Sequence, residues 1–536
     1  MGPHSFRGVY RDDLLARAVY AEGAGIARAI PAGVAVPADA DDVSQLVRWA
    51  GERGLGLIPR GSGSGMAGGG VGRGIIVDLS RLDAIGAVDL VHRRVWTGPG
   101  ALRGAVEAVA RTHGLRFPVD PSSGAFCTVG GMAATNAAGA RTLRYGATRD
   151  WVSAAECVFS DGSRTILRRG EHPDATAPAL ERFLSSVAPR AHSVSPDLLK
   201  RPGVRKESSG YALGEFVRSG DLLDVVLGSE GSLCVITSLE LALDAVPGAT
   251  ASVLAAFPSL DTAVDGARAS REGGASASEL LDRTFLDIAA LGGARRVPPE
   301  TETALLIEVE GASSSEANQR GRSIADACDR AGATAIRVAM DEMTERELWE
   351  LRHAASPILA RLDPHLKSMQ FIEDGAVPPD QLPAYIDGVR SALAGREIRG
   401  VIFGHAGDAH VHVNPLIDVR EPEWRTQVEG LLDEVTTLVA SLNGTLAGEH
   451  GDGRLRAPLG SRTWSDEAID LFASVKRAFD PEGVFNPGVK VPLDGQVAIE
   501  EVKYDPSIES LPARARDALD GIERERGYAR FRLSLV

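Results

Sequence analysis

The segment Pro59-Arg-Gly-Ser-Gly-Ser-Gly-Met-Ala-Gly-Gly-Gly70 carries six glycines between Gly61 and Gly70. So many residues without a Cβ read as a loop whose backbone can approach a neighbour closely. Before it, Val43, Leu46, Val47 and Ala50 recur at helical spacing from Asp41 to Gly51, with Asp41 or Asp42 as cap. The apolar run Leu55 to Ile58, ended by Pro59, then predicts a buried strand, and Gly74-Ile-Ile-Val-Asp-Leu79 predicts another after the loop. Gly63, Gly65 and Gly68 match G-x-G-x-x-G, but a dinucleotide-binding turn passes straight into a helix, and here a strand follows. What the loop does offer is a run of unobstructed backbone N–H groups able to close around an anion such as phosphate.

With 58 basic and 73 acidic residues among 536, the chain has a formal charge of −15. That balance, without a long Lys/Arg run, argues against a nucleic-acid or anionic-membrane surface, since both demand a basic footprint. Cys127, Cys157, Cys234 and Cys328 are scattered, with no Cys-x-x-Cys spacing for zinc or an iron–sulfur cluster. The first thirty residues carry charges throughout, and no segment approaches the roughly 20 apolar residues of a membrane span. The expectation is a cytoplasmic protein without a transmembrane segment.

Val95 to Gly98 predicts a strand and Ala101 to His113 a helix. Gly228 to Thr237 and Leu239 to Val246 read as the strands that close a first unit near residue 245. Leu254 to Phe257, Ala304 to Val309 and Ala335 to Val338 predict strands of a second unit, and Glu429 to Leu442 and Asp466 to Phe479 predict helices. Ser510 and Pro512 suit a final helix start. A second run of small residues suits close packing against an extended ligand: Asp120-Pro-Ser-Ser-Gly124, Thr128-Val-Gly-Gly-Met132 with Asn136 and Gly139, and Arg144-Tyr-Gly146.

Gly404-His-Ala-Gly-Asp-Ala-His-Val-His-Val-Asn-Pro415 is the most specific chemical signal. On a strand, His410, His412 and Asn414 share one face, and His405 sits on the entering loop. Gly448-Glu-His-Gly-Asp-Gly453 adds Glu449 and His450 between glycines. Four of the 11 histidines fall in these two segments, and two imidazoles with a carboxylate suit a divalent metal with an open position. In Glu347 to Ser356, helical by pattern until Pro357, Arg352 and Ser356 share a face; with Lys367 they form a set able to clamp a carboxylate. Lys206-Glu-Ser-Ser-Gly-Tyr211 reads equally as a capped turn or as a segment bringing Tyr211 near a ligand.

Together, Arg60 to Gly69, Asp120-Pro121, Thr128 to Gly131, Asn136, Arg144 to Gly146 and Gly228 to Val235 resemble the FAD-binding domain of the vanillyl-alcohol oxidase and p-cresol methylhydroxylase (PCMH) superfamily. The second half resembles the C-terminal domain of its D-lactate, glycolate and D-2-hydroxyglutarate dehydrogenase branch, over roughly residues 30 to 490 in all. The resemblance implies an α+β fold: a two-part PCMH-type FAD-binding domain plus an α/β substrate (cap) domain with an antiparallel sheet. The corresponding divisions are an N-terminal segment 1–30, the FAD-binding domain 31–245, the cap domain 246–430, a helical return 431–490 and a charged tail 491–536.

It also implies roles. Arg60, Gly61, Ser62, Gly63, Ser64, Gly65, Met66 and Gly69 would cradle the FAD pyrophosphate. Asp120, Pro121, Thr128, Gly130, Gly131, Asn136, Gly139 and Tyr145 would line the flavin groove, with Asn486 in the same set and Glu230 to Val235 at the adenine end. Some relatives hold flavin covalently through a His near the loop; none is present here, so dissociable FAD is expected. His405, His412 and Glu449 would bind the metal, Zn, Mn or Fe, with Asn414 and His450 near the substrate. His410 departs from the family, which commonly has Asn there, so it is an extra ligand, a donor behind the ligands, or neither. The activity implied is oxidation of a D-2-hydroxy acid of the 2-hydroxyglutarate, lactate or glycolate type, with Arg352, Lys367 and Ser356 holding its carboxylate and His450 as general base. Larger relatives carry an iron–sulfur domain; with none up to Val536, electrons are expected to leave to a separate protein, a quinone or oxygen. A metal-dependent hydrolase and a non-catalytic FAD-bearing subunit are the alternatives.

Overall fold

The computed structural model describes residues 2–3, 5–171, 177–291, 296–359 and 365–536, with the backbone alone for 353–359. Three larger sheets carry the fold. The first runs in the order Val9–Arg11, Gly33–Val36, Ile75–Asp78, Leu57–Arg60, antiparallel at the first pair and parallel thereafter. The helix Ala40–Gly51 covers it through Val43, Leu46, Val47 and Ala50. Its cap is Asp39, whose carboxylate accepts from the N–H groups of Asp41 and Asp42; the two expected caps instead place negative charge in the first turn. Pro59 does not end the strand before the loop. It lies within Leu57–Arg60 at the sheet edge, where its missing N–H leaves no ladder bond unmade.

The second sheet is antiparallel, in the order Arg94–Thr97, Val235–Ala242, Val152–Val158, Arg164–Arg168. Leu471, Phe472, Val475 and Phe479 of the helix Asp466–Phe479 join its core, so this late segment packs on the first half of the chain. Val484 and Asn486 then bond Leu57 through its N–H and C=O at 2.7 and 2.8 Å.

The third sheet has eight antiparallel strands. Its path is Ala335–Ala339, Ala249–Phe257, Thr303–Gly311, Ala277–Asp282, Arg399–His405, His410–Asp418, Leu366–Ser368, with Gly375–Ala376 also paired to His410–Asp418. Alternation sorts its residues: Val411, Val413 and Ile417 enter the core shared with the helices Leu382–Ala394 and Trp424–Ser441, leaving His412 and Asn414 to the opposite face. That face turns toward the first half of the chain and forms one wall of the main cleft. The α+β expectation, a two-part flavin-binding half plus a domain built on an antiparallel sheet, describes this architecture.

The helix Glu342–Leu359 runs on through Pro357 instead of being disturbed there. Near the C-terminus, Leu511, Ala515, Leu519 and Leu533 pack with Ala16, Tyr20, Val34 and Ile76. The final α-helix, Ala513–Glu525, takes Pro512 as its cap residue.

Candidate active site

One cavity of about 1490 Å³ runs between the glycine loop and the histidine face of the large sheet. Arg60, Gly61, Ser62, Gly63, Ser64, Gly65, Met66 and Gly69 line it, as do Pro121, Thr128, Gly131 and Glu230. The backbone of the loop is left open in a way that could receive an anion. Its carbonyls are occupied: Arg454 Nη1 donates to Gly68, Gly69 and Val71, Asn486 Nδ2 to Gly69, and Arg60 Nη1 to Gly70. Among the described residues, no N–H from Gly61 to Gly70 donates to a protein acceptor. Amides left open beside positive-φ turns at Gly63 (+74°) and Gly68 (+78°) form the nest that a pyrophosphate requires. A Cβ at Gly63 would lie 2.3 Å from the Arg60 guanidinium, so only glycine fits there. The helix Val129–Thr135, with Thr128 as N-cap accepting from Gly131 N–H, lies against the same cleft.

Several expected cofactor residues serve this wall from behind. Arg60 is buried, and its guanidinium donates to the carbonyls of Tyr20, Glu22 and Gly70; burial pushes it down to about 9. It staples the loop more than it faces a phosphate. Asp120, Gly130, Asn136, Gly139, Tyr145, Val235 and Asn486 do not line the cavity. Asp120 accepts from Arg141 at 2.6 Å, and Asn136 caps a helix in left-handed conformation while accepting from Arg149 N–H at 2.9 Å. Gly130 and Gly139 permit close packing: a Cβ would stand 2.5 Å from Pro99 Cβ and 2.1 Å from the Asp120 carbonyl oxygen. Tyr145 pairs with Glu310, Val235 is buried in a sheet core, and Asn486 Nδ2 donates to the carbonyls of Gly69 and Glu230. Tyr211 is likewise a core residue, bonded to Ser232 Oγ at 2.8 Å.

At the other wall, His405, His410, His412 and Glu449 each bring a ligand atom within 4.8 Å of the others. Hydrogen bonds fix the tautomers. His405 Nδ1 faces Glu279 Oε1 at 2.5 Å and His412 Nδ1 faces the Glu373 carbonyl at 2.8 Å, so both Nδ1 atoms donate. The two Nε2 atoms then meet each other at 3.4 Å and Glu449 Oε1 at 3.4 and 3.5 Å. Ligand atoms about 2.1 Å from one tetrahedral ion stand about 3.4 Å apart, so this spacing suits a divalent metal. Three converging acceptors repel unless positive charge sits among them. Burial opposes charge on His405, yet Glu279 overrides it and raises this imidazole. Burial instead lowers His412, favouring the neutral form that a metal would require.

His410 is fully buried; its Nε2 donates to Asp374 Oδ1 at 2.8 Å, and burial pushes it down to about 3. Asp374 also accepts from the N–H groups of Glu449 and His450, so His410 braces the loop that carries Glu449. Its Nδ1 has no partner among the described residues. His450 stacks on His412 with centroids 5.4 Å apart and donates Nδ1–H to Glu373 Oε1 at 3.0 Å. Burial works against its charge, but Asp374 and Glu373 outweigh that and push it up to about 9.

Arg352, Lys367, Asn414 and His450 all line the cavity beside this cluster. Arg352 lies 4.6 Å from the Phe403 ring, and Lys367 Nζ 5.6 Å from the Tyr504 ring. The side chain of Ser356 lies outside the described residues.

Other contributors take their roles from tertiary packing. Lys206, buried, donates to Glu449 Oε2 at 2.9 Å and to the Gly139 carbonyl at 3.0 Å, joining the two walls. Glu230, whose backbone is left-handed at φ 55°, accepts from the N–H groups of Asp452 and Gly453. Tyr504, Arg516, Glu523 and Tyr528 bring the C-terminal segment to the cavity wall.

Comparison with known proteins identifies both halves of the chain. Residues 31–168 match the FAD binding domain family and residues 246–489 the C-terminal domain of FAD linked oxidases. The chain is 30% identical to the probable mitochondrial D-lactate dehydrogenase of Danio rerio over 499 residues, 90% of each chain. It is 28% identical to the glycolate oxidase subunit GlcD of Bacillus subtilis (strain 168), over 86% of this chain and 89% of that one. It is also 28% identical to the D-2-hydroxyglutarate dehydrogenase of Pantoea ananatis (strain AJ13355), over 92% of this chain and 51% of the relative. Among solved structures, the 4-ethylphenol oxidase of Gulosibacter chungangensis shares the fold at a TM-score of 0.66 with 14% identity, covering 90% of this chain and 95% of the other. Among the described residues no helix is long and apolar enough to cross a membrane. With both FAD-linked oxidase domains matched and a D-lactate dehydrogenase 30% identical over nine-tenths of each chain, the chain belongs to the FAD-linked oxidases of the vanillyl-alcohol oxidase and p-cresol methylhydroxylase superfamily, and is an FAD-dependent oxidoreductase of their hydroxy-acid branch.

Proposed function

We propose that the protein oxidises a D-2-hydroxy acid of the 2-hydroxyglutarate, lactate or glycolate type to the 2-oxo acid, aided by a divalent metal, and passes the electrons to an external acceptor. The observation that carries this reading is the convergence of His405 Nε2, His412 Nε2 and Glu449 Oε1 beside Arg352 and Lys367, on a cleft whose other wall is the glycine cradle. When bound, FAD supplies a two-electron acceptor and the metal supplies Lewis acidity toward the substrate hydroxyl.

His405, His412 and Glu449 would hold the metal, with zinc favoured by the spacing and by the two imidazoles; manganese and iron suit the same donors. Gly61 to Gly69 would hold the pyrophosphate of dissociable FAD through backbone N–H groups. Arg352 and Lys367 fix the substrate carboxylate and so orient the reacting carbon toward the cradle side, with Asn414 beside them. His450, its Nδ1 committed to Glu373, would accept the hydroxyl proton at Nε2 from its neutral form, which a cation held beside it by Glu449 would favour against the carboxylates that raise this imidazole. The hydrolase alternative leaves the open amides of the loop without a use. Three relatives are named as glycolate oxidase subunits, which supports a separate protein partner.

The test is an anaerobic absorption spectrum of the FAD-loaded protein with D-2-hydroxyglutarate, D-lactate or glycolate, before and after chelation. Bleaching of the flavin band by one acid, slowed by chelation and restored by zinc, is the expected outcome. A flavin that none of the three acids bleaches defeats the substrate assignment.

A further inference from the structure

Glu279 is a fully buried carboxylate in the strand Ala277–Asp282, paired in antiparallel register with His405. Its two oxygens serve different masters. Oε1 accepts from His405 Nδ1 at 2.5 Å, and Oε2 accepts from Arg352 Nε at 2.7 Å. Arg352 comes from the helix Glu342–Leu359, and its guanidinium also rests on Phe403, the strand neighbour of His412. One anion therefore fixes a metal-ligating imidazole, in the tautomer that turns Nε2 toward Glu449, and the guanidinium that faces the substrate carboxylate. A buried carboxylate is held this way only when both oxygens are satisfied, because an unpaired charge in the interior is costly.

We propose that Glu279 is a positioning residue that sets the metal site and the substrate-carboxylate site together, so that disturbing it weakens both. This rests on the reading of His405 as a ligand and Arg352 as a carboxylate anchor. The chemistry of the side chain gives the test its edge. A carboxylate offers two acceptors, whereas the amide of Glu279→Gln offers one acceptor and one donor, so the variant cannot accept from His405 and Arg352 at once. The residual mismatch sets an N–H against an N–H in a buried site and disturbs the geometry on both sides.

Two titrations on the FAD-loaded protein read the two sites without turnover. Zinc affinity is measured by competition with a fluorescent chelator. Carboxylate affinity is measured from the flavin spectral change on adding propionate, which has no hydroxyl to oxidise. Glu279→Gln is expected to weaken zinc by about 10- to 100-fold and propionate by about tenfold. Loss at one site with the other within twofold of wild type overturns the proposal, as does no change at either. If Glu279→Gln does not fold, Arg352→Gln decides: it touches no metal ligand, yet freeing Oε2 is expected to shift zinc affinity at least threefold, and an unchanged zinc affinity overturns the coupling. A wild-type flavin that no 2-hydroxy acid bleaches would count against the oxidation reading and would leave these titrations free to judge Glu279 on its own.

Discussion

The two walls of the cleft bind by opposite means. At the glycine loop the backbone supplies the binding groups, and side chains such as Arg454, Asn486 and Arg60 serve by occupying the carbonyls. At the histidine face the side chains supply the chemistry, and a surrounding set of buried carboxylates, Glu279, Glu373 and Asp374, orients them. The difference teaches where each site is vulnerable. The loop depends on shape, so it fails when a Cβ intrudes or a staple is lost. The histidine face depends on tautomer and charge, so it fails when a single hydrogen-bonding partner changes.

The largest effect is expected at the histidine wall. His450→Ala removes an imidazole that lines the cleft, and substrate-driven flavin reduction in stopped flow is expected to slow by about 10²- to 10⁴-fold. FAD content should stay at the wild-type level. An unchanged reduction rate removes His450 from the base role; loss of FAD instead would mean that the two walls are not as separable as their chemistry suggests.

At the loop the expected effect is smaller and falls on binding. Arg454 lies outside the cavity lining, and its guanidinium holds three loop carbonyls together with Asn486 Oδ1. Arg454→Met is expected to weaken FAD by on the order of 10- to 100-fold, judged from two or more lost charged hydrogen bonds. Flavin released on dilution, read by fluorescence, measures it. Wild-type FAD affinity in this variant would show that the loop keeps its shape without the staple.

The smallest effect is expected where the halves of the chain meet. Arg116 forks Glu310 with both contacts at 3.0 Å, and Tyr145 joins the same carboxylate. Burial works to raise Glu310, but the hydrogen bonds from Arg116 and Tyr145 outweigh it and hold it below its ordinary value. Its folded value is thus below the unfolded value of about 4.3, so its contribution is present above that pH and is lost as pH falls through the lower folded value. Melting curves between about pH 5 and pH 3 should show Glu310→Gln losing less stability on acidification than wild type, from a lower start. Parallel pH profiles would remove Glu310 from the acid response.

Much of the fold was legible because it is written in local periodicity. The helix Asp466–Phe479 appears at its expected bounds, and the alternation around His412 and Asn414 placed both on one strand face, as observed. Three strands of the large sheet were recognised as short apolar cores of longer elements, as Leu254 to Phe257 is part of Ala249–Phe257, whereas Ala277–Asp282 and Arg399–His405 were not read as strands and His405, expected on a loop, ends the latter. Other features were misplaced where a residue's surroundings, not its type, decide its role. Asp120, Asn136 and Tyr145 belong to motif segments, yet their polar groups are used for ion pairs, caps and contacts behind the cleft. Residues 491–536 read as a charged tail, but Arg532 is buried against the Val19 carbonyl and Tyr504 reaches the cavity.

By itself, the sequence determined which backbone could receive an anion and which strand could present imidazoles, because both follow from neighbours along the chain: absent Cβ atoms in one case and a two-residue period in the other. The partners that make those groups work were decided only by the tertiary structure. Glu279 stands 126 positions from His405, and Lys206 stands 243 from Glu449, so neither pairing is visible in its own stretch of sequence. Burial without water is what turns such charges into tautomer locks and clamps, and burial is a property of how the sheets pack, which no local pattern records.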